Sequence, residues 1–305
     1  MQMMCLVGQM VVFDEAEDLL RKLLSTDINA KQIERACHYI GGKIEKEDQK
    51  MINTQIFHEY SVTEKSQLHY AMLDGAMYLT REEKWKEAKM GRIFKSSSNI
   101  NISKGRGIVT DSQYVVHLGS HKEFLAKFEY YLDDLKSLVI IADGAKWIWN
   151  WADDFYPNAI QVLDYFHALE HLCEFAINYY KEPGERSEWI DKQAKRLLEE
   201  DVGQVIDCLK QLPISTYKKT ELQKNKLINY YVKNKKRMSY SIFLKRGFLI
   251  GSGAIESAHR TVLQQRMKLS GQRWTKKGFQ QIANIRAVKK SDNWNRIIDL
   301  TKIAA

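Results

Sequence analysis

Three carboxylates have the type and setting for metal chemistry. Asp74 closes the apolar run "YAMLDG", Asp143 closes "VIIADG", and Glu256 is the single acid in "GSGAIESAHRTVLQQRMKLSGQRW", Gly251 to Trp274. An acid at the end of an apolar strand is costly to bury unless it is paired or bound to metal. From Ser257 to Ser291 the chain has nine Lys or Arg and no acid, whereas a solvated helix usually mixes charges to gain i,i+4 pairs. Phosphodiester cleavage and transfer need an activated oxygen nucleophile, a stabilised leaving oxygen and offset phosphate charge. Two Mg²⁺ ions about 4 Å apart supply all three. Magnesium takes hard oxygen ligands and keeps several waters, so about three carboxylates hold the pair. Each acid also has a plainer reading. Asp-Gly is common turn punctuation after a strand, and a glutamate near a helix N-terminus is favoured by the dipole. If Ser252 were the N-cap, a capping-box partner would fall at Ile255, not at Glu256. Taken together, Asp74, Asp143 and Glu256 are expected to hold Mg²⁺ or Mn²⁺ as a two-ion site, with the basic surroundings serving DNA.

The elements that must position these acids follow from periodicity. "FDEAEDLLRKLLSTDINAKQIERACHYIGG" reads as an amphipathic helix, a turn at Ser25–Asp27 and a second helix stopping at Gly41-Gly42. That is helix-turn-helix-like, or an ordinary helical hairpin, and a third helix follows from about Glu45 to Tyr60. "QLHYAMLDGAMYL", "WKEAKMGRIF" and "DSQYVVHLG" read as strands, with "KSSSNINISKGRG" an exposed loop between the last two. Next come helix "HKEFLAKFEYYLDDL", buried strand "KSLVIIADG", helix "AKWIWNWADDF" and strand "NAIQVLDYFH". Three strands, helix, strand, helix, strand describe a mixed α/β core rather than a doubly wound sheet. Everything after His167 reads as helical.

The chain has 305 residues, formal net charge +9 and three prolines, enough length for one large domain or two modest ones. Its basic balance suits a polyanionic partner. Lys218 to Arg246 holds ten Lys or Arg against Glu221, interleaved with Tyr230, Tyr231, Tyr240 and Phe243. Such a mix could neutralise phosphates and stack on bases, or simply be a solvated face. Lys235, Lys236 and Arg237 here, and Arg260, Arg266 and Lys268 after Glu256, are the candidate DNA contacts. His259 shares that turn, with Arg260 the better phosphate contact. Four cysteines without CxxC spacing argue against a disulfide framework or zinc ribbon. The apolar opening is too short to span a bilayer and lacks signal-peptide flanks. A cytosolic protein with no membrane partner is expected.

"LDG" at 73–75, "WKEAKMGRIF" at 85–94, "YVVHLG" at 114–119, "ADGAKWIWN" at 142–150, "VLDYFHALEHL" at 162–172, "GSGAIES" at 251–257 and "RMKLSGQRW" at 266–274 are in an order that resembles the DDE transposases of bacterial insertion sequences. The likeness is to the ISKra-type group, itself similar to Mutator-like transposases. The resemblance implies an RNase H-like mixed-sheet core interrupted by a helical insertion. Its parts would be a helical N-terminal region at 1–62, the core's first part at 63–167, the insertion at 168–250 and closing helices at 251–305. It implies Asp74, Asp143 and Glu256 as the catalytic triad. Asp164 and His167 match the aspartate-two-residues-histidine signature, and Arg273 and Trp274 the "RW" pair, for base stacking or core packing. It also implies double-stranded DNA, both element ends and target, as partner, with a homodimer or larger assembly on DNA at the bacterial nucleoid. This chain starts nearer its first amphipathic helix than is usual in that family, so a shortened, inactive or domesticated DNA-binding copy is the alternative expectation. A third reading takes "HALEH", His167 to His171, as the H-x-x-E-H zinc pattern of a metallopeptidase with Glu170 as base.

Overall fold

The computed structural model describes residues 1–53, 68–103, 106–133, 135, 137–199 and 201–302. Two compact units account for them: Met1–Leu138 with Ala254–Ala305, and Val139–Gly253. The first unit opens with helices α1 (Gln2–Gly8), α2 (Phe13–Leu24) and α3 (Ala30–Asn53). Strands β1 (Leu68–Thr80), β2 (Lys84–Lys95), β3 (Asn99–Ser103), β4 (Arg106–Val109) and β5 (Gln113–Leu118) follow, then α4 (His121–Glu129). The second unit begins inside β6 (Ser137–Ala142). It continues through α5 (Lys146–Phe155), β7 (Ile160–Leu163), α6 (Tyr165–Tyr179), α7 (Pro183–Glu199), α8 (Val202–Gln211), α9 (Lys218–Asn234) and α10 (Tyr240–Lys245). The chain then returns to the first unit through α11 (Gly253–Ala258), a π-helical segment His259–Gln264, and α12 (Gln265–Met267). Helices α13 (Lys276–Lys290) and α14 (Trp294–Lys302) close it.

The chain is mixed α/β. In the first unit β1, β2 and β5 form antiparallel pairs, with Asp74 opposite Met90 and Met90 opposite Val116. In the second unit β6 and β7 are parallel, Val139 opposite Ile160, joined by the α5 crossover that parallel pairing requires. Apolar residues Val139, Ile140, Ile141 and Ala142 are fully buried, as a strand covered on both faces must be.

Three local expectations are corrected. Gly41-Gly42 does not stop a helix: α3 runs unbroken through both. A Cβ on Gly41 would lie 2.2 Å from the Gln281 carbonyl oxygen, so this glycine lets α3 cross α13 at backbone distance. The third helix is therefore the second half of α3, and residues 54–60 of that expectation lie outside the described ones. "NINIS" and "RGIV" are not loop but an antiparallel ribbon, β3 with β4. Asp74 does not end a strand either, since β1 continues to Thr80. Gly75 makes room there for the Glu87 side chain, which a Cβ would meet at 2.1 Å.

Helix α13 is the axis of the first unit and is buried on nearly every side. Its Gln280 works as a substitute strand: Oε1 accepts from Leu118 N–H at 2.8 Å and Nε2 donates to the Val116 carbonyl at 3.0 Å, occupying the edge of β5. Asn284 Nδ2 donates to the Gly41 carbonyl at 3.1 Å and to Glu45 Oε2 at 2.6 Å. Among the described residues no helix is long and apolar enough to cross a membrane.

Candidate functional site

In the first unit, β1 carries Asp74 half-buried, with Gly75 N–H donating to its Oδ1 at 2.7 Å. One strand residue holds the neighbouring helix. Buried Arg92 of β2 donates from its guanidinium to the Ala254 carbonyl at 2.7 Å and from Nε to Ser112 Oγ at 2.9 Å. That anchors the first turn of α11, where Glu256 points into solvent. Among the described residues Glu256 has neither a hydrogen-bond nor an ion-pair partner, although cations surround it in sequence. One turn on, His259 is 3% exposed and its Nε2 lies 3.5 Å from Asp74 Oδ2. This is ion-pair range without hydrogen-bond geometry, and both ring nitrogens lack a hydrogen-bond partner among the described residues. Burial pushes the imidazole below its usual range, and the opposing pull of Asp74 does not restore it. The hard oxygens of Asp74 and Glu256, unclaimed by lysine or arginine, suit a divalent cation.

In the second unit, Asp143 directly follows β6, as expected. Ala145 N–H donates to its Oδ1 at 2.9 Å, and Trp149 Nε1 donates to its carbonyl at 2.7 Å. Gly144 leaves space that the Tyr230 ring fills, since a Cβ there would meet it at 2.2 Å. The Tyr230 hydroxyl is a buried atom without a hydrogen-bond partner among the described residues. Burial first, then Asp143 and Asp164, push its phenol up.

Asp164 caps α6. Its Oδ1 accepts from Phe166 N–H at 2.8 Å, and its Oδ2 from His167 Nδ1 at 2.9 Å and from Ser252 Oγ. Burial alone would raise this carboxyl, but these hydrogen bonds outweigh it and leave it below the usual range. An ionised carboxylate only accepts, so Nδ1 of His167 carries a proton in this contact. Asp164 is 0% exposed and orients His167 through this contact. The stability linkage has a definite sign. A carboxyl depressed below its ordinary 3.8 stabilises the fold above that pH, and the contribution is lost as pH falls through the lower folded value. Asp164→Asn is expected to lower the melting temperature at pH 7 and to lower it less at pH 3. Thermal melts across that range check this, and a pH-independent difference would contradict it.

The candidate DNA contacts divide. Arg260, Lys268, Arg273, Lys235 and Lys236 are exposed. Arg266 and Trp274 are not, which corrects their assignment as DNA contacts. Arg266 is 1% exposed, donates from Nε to the Gly8 carbonyl at 3.1 Å and lies 5.1 Å over the Trp274 ring. Trp274 extends β1 through its backbone, N–H to the Leu79 carbonyl at 3.2 Å, and buries its indole with Nε1 donating to the Met267 carbonyl at 3.1 Å. Arg237 is committed to Asp153 at 2.8 Å and to the Trp149 face at 4.6 Å. Tyr231, Tyr240 and Phe243 are core residues of the second unit, so the interleaved aromatics are no stacking ladder. Of "HALEH", His167 binds Asp164, and His171 meets the Tyr230 ring edge at 4.9 Å and Glu174 at 3.4 Å. His171 joins no cluster of three or more metal-binding side chains among the described residues.

Sequence reasoning missed the closeness of His259 to Asp74. Its only signal was a position one turn beyond Glu256. It also missed Arg92 and Ser252, whose partners lie far away in sequence. No curated protein matches this sequence. Residues 58–302 match the family model of UPF0236, an uncharacterised protein family, and the chain belongs to that family.

Proposed function

We propose that this chain is a metal-dependent DNA transposase of the DDE type, with an RNase H-like core, cutting at the ends of a bacterial insertion sequence and joining them to target DNA. One observation carries the reading. The helix bearing Glu256 reaches Asp74, 182 positions earlier in sequence, through the 3.5 Å approach of His259 to Asp74. An acid on β1 and an acid on a distant helix, each left without lysine or arginine, support a reading as cation ligands rather than as an ion-pair network. Asp143, at the end of β6, is the third carboxylate of the proposed set.

In this reading Asp74, Asp143 and Glu256 would hold two Mg²⁺ or Mn²⁺ ions, whose chemistry is Lewis-acid activation of the attacking oxygen and offset of phosphate charge. Water attacks the phosphodiester at the element's end, and the freed 3′-hydroxyl then attacks target DNA in a second in-line displacement. His167, its Nδ1 held by Asp164, sits at the N-terminal turn of α6. Exposed Arg260, Lys268, Arg273, Lys235 and Lys236 neutralise backbone phosphates, and the N-terminal helices supply further DNA contact. Joining two ends calls for a homodimer or larger assembly on DNA, at the nucleoid of a bacterial cytoplasm.

The test is nicking of duplex DNA carrying the gene's own flanks, with Mg²⁺ or Mn²⁺ against EDTA. Metal-dependent nicking at the flanks is expected. DNA bound but never nicked would assign the chain instead to DNA-binding remnants of such enzymes. Affinity gives a second readout. If five exposed cations each neutralise a phosphate, the logarithm of the binding constant falls with the logarithm of salt at a slope of about −4 to −5. A flat dependence would remove the basic residues from the DNA interface.

A further inference from the structure

We propose that His259 is a positioning residue that orients the Asp74 carboxylate for a divalent cation, and that the π-helical segment beginning at His259 serves to aim its ring. The inference rests on Asp74 and Glu256 being cation ligands. A buried imidazole with neither nitrogen hydrogen-bonded is a standing cost to the fold, about 1–3 kcal/mol for each unsatisfied polar group. At 3% exposure the ring fills a space that a leucine would fill without that cost. Its Nε2 lies 3.5 Å from Asp74 Oδ2. The other oxygen of that carboxylate is already fixed by the Gly75 N–H. A small closure of the 3.5 Å gap would therefore fix both oxygens and turn the remaining lone pairs toward a bound ion. Histidine–carboxylate partnership of this kind, outside the ligand set itself, tunes and orients metal ligands.

The backbone supports the same assignment. Helix α11 gives way to a π turn at His259, and π turns within helices recur at functional sites because they redirect side chains. This one is held from outside. The Arg286 guanidinium of α13 donates to the Thr261 carbonyl at 2.8 Å and to the Val262 carbonyl. Glu256 lies three residues before His259, on the solvent side of the same run. The segment thus presents an exposed acid and a buried imidazole, with the imidazole against Asp74.

The experiment is calorimetric titration of the full chain with Mn²⁺ alone, alongside thermal melts. The wild type is expected to bind Mn²⁺. His259→Leu is expected to bind about tenfold more weakly while melting at or above the wild-type temperature, since it removes two unpaired nitrogens. His259→Gln, whose amide reaches the Nε2 position, should keep most of the affinity. His259→Leu binding like wild type, with Asp74→Asn losing the ion, would overturn the role of His259 and leave the metal site standing. Failure of the wild type to bind, or undiminished binding by both Asp74→Asn and Glu256→Gln, would overturn the metal reading itself. Should the leucine variant melt more than about 5 °C low, the comparison passes to His259→Gln against His259→Asn. The shorter amide falls short of Asp74 and should lose binding, so equal affinity of the two would overturn the proposal.

Discussion

Glu256→Gln is expected to abolish metal-dependent nicking, by about a thousandfold or more, while DNA affinity stays within about twofold and the melting temperature within about 2 °C. The size follows from what the substitution removes. Glutamine keeps the shape and one carbonyl oxygen but carries no charge, and a thousandfold loss corresponds to about 4 kcal/mol of transition-state stabilisation. That is the scale of an electrostatic contact made in a reacting site. The expected silence of the other two readouts comes from the setting of the residue. Glu256 is exposed and has no protein partner among the described residues, so the fold loses little, as for surface substitutions generally. It is the cleanest of the three acids to test. Asp74 and Asp143 both accept local N–H groups, so Asp74→Asn and Asp143→Asn disturb a local backbone contact as well as the chemistry. Nicking by Glu256→Gln within about tenfold of wild type would remove this residue from the site.

What sequence could and could not supply follows from the range of the forces involved. Strand β6 and Asp143 after it were legible because a short continuous apolar run ending in Asp-Gly has one simple physical meaning. The same Asp-Gly at 74–75 misled. Whether a glycine turns the chain or makes room for a cross-strand side chain depends on Glu87, twelve residues on and invisible to local pattern. Gly41 misled for the same reason, because its neighbour is the backbone at Gln281. Composition signalled a basic chain but could not sort its cations. Arg266 and Arg260 look alike in sequence, yet one is 1% exposed beneath Trp274 and the other faces solvent. Helical period would have put Tyr231 on an inward face, but it cannot say what lies there. Asp164 and His167 were read from a motif, and the structure adds the hydrogen bond that joins them.

Arg286→Ala is expected to cost the first unit about 3–5 kcal/mol, lowering its melting temperature on the order of 10 °C. Burial, reinforced by nearby Arg266, brings this guanidinium down to about 10, so the fold already bears a charge held in poor surroundings. Among the described residues no carboxylate comes within ion-pair range of it. Carbonyl and amide oxygens offset the charge instead: Thr261 at 2.8 Å, Val262, the Gln9 backbone, and Gln9 Oε1 at 3.1 Å. Two opposing effects decide the outcome of truncation. Removing the side chain removes the desolvated charge, which favours the variant. It also leaves a cavity in a 3%-exposed site and strands several buried acceptors, at about 1–3 kcal/mol apiece where nothing replaces the donor. The second effect wins because the fork serves three chain segments at once: α13 itself, the π segment and the link after α1. Arg286→Lys makes the geometry testable. An ammonium donates from one point and cannot span those acceptors, so lysine should recover less than half the loss despite keeping the charge. Thermal unfolding of the three proteins measures this directly. If the alanine variant melted within about 2 °C of wild type, the π segment would not depend on Arg286. If lysine restored wild-type stability, charge rather than the fork would be what the site requires.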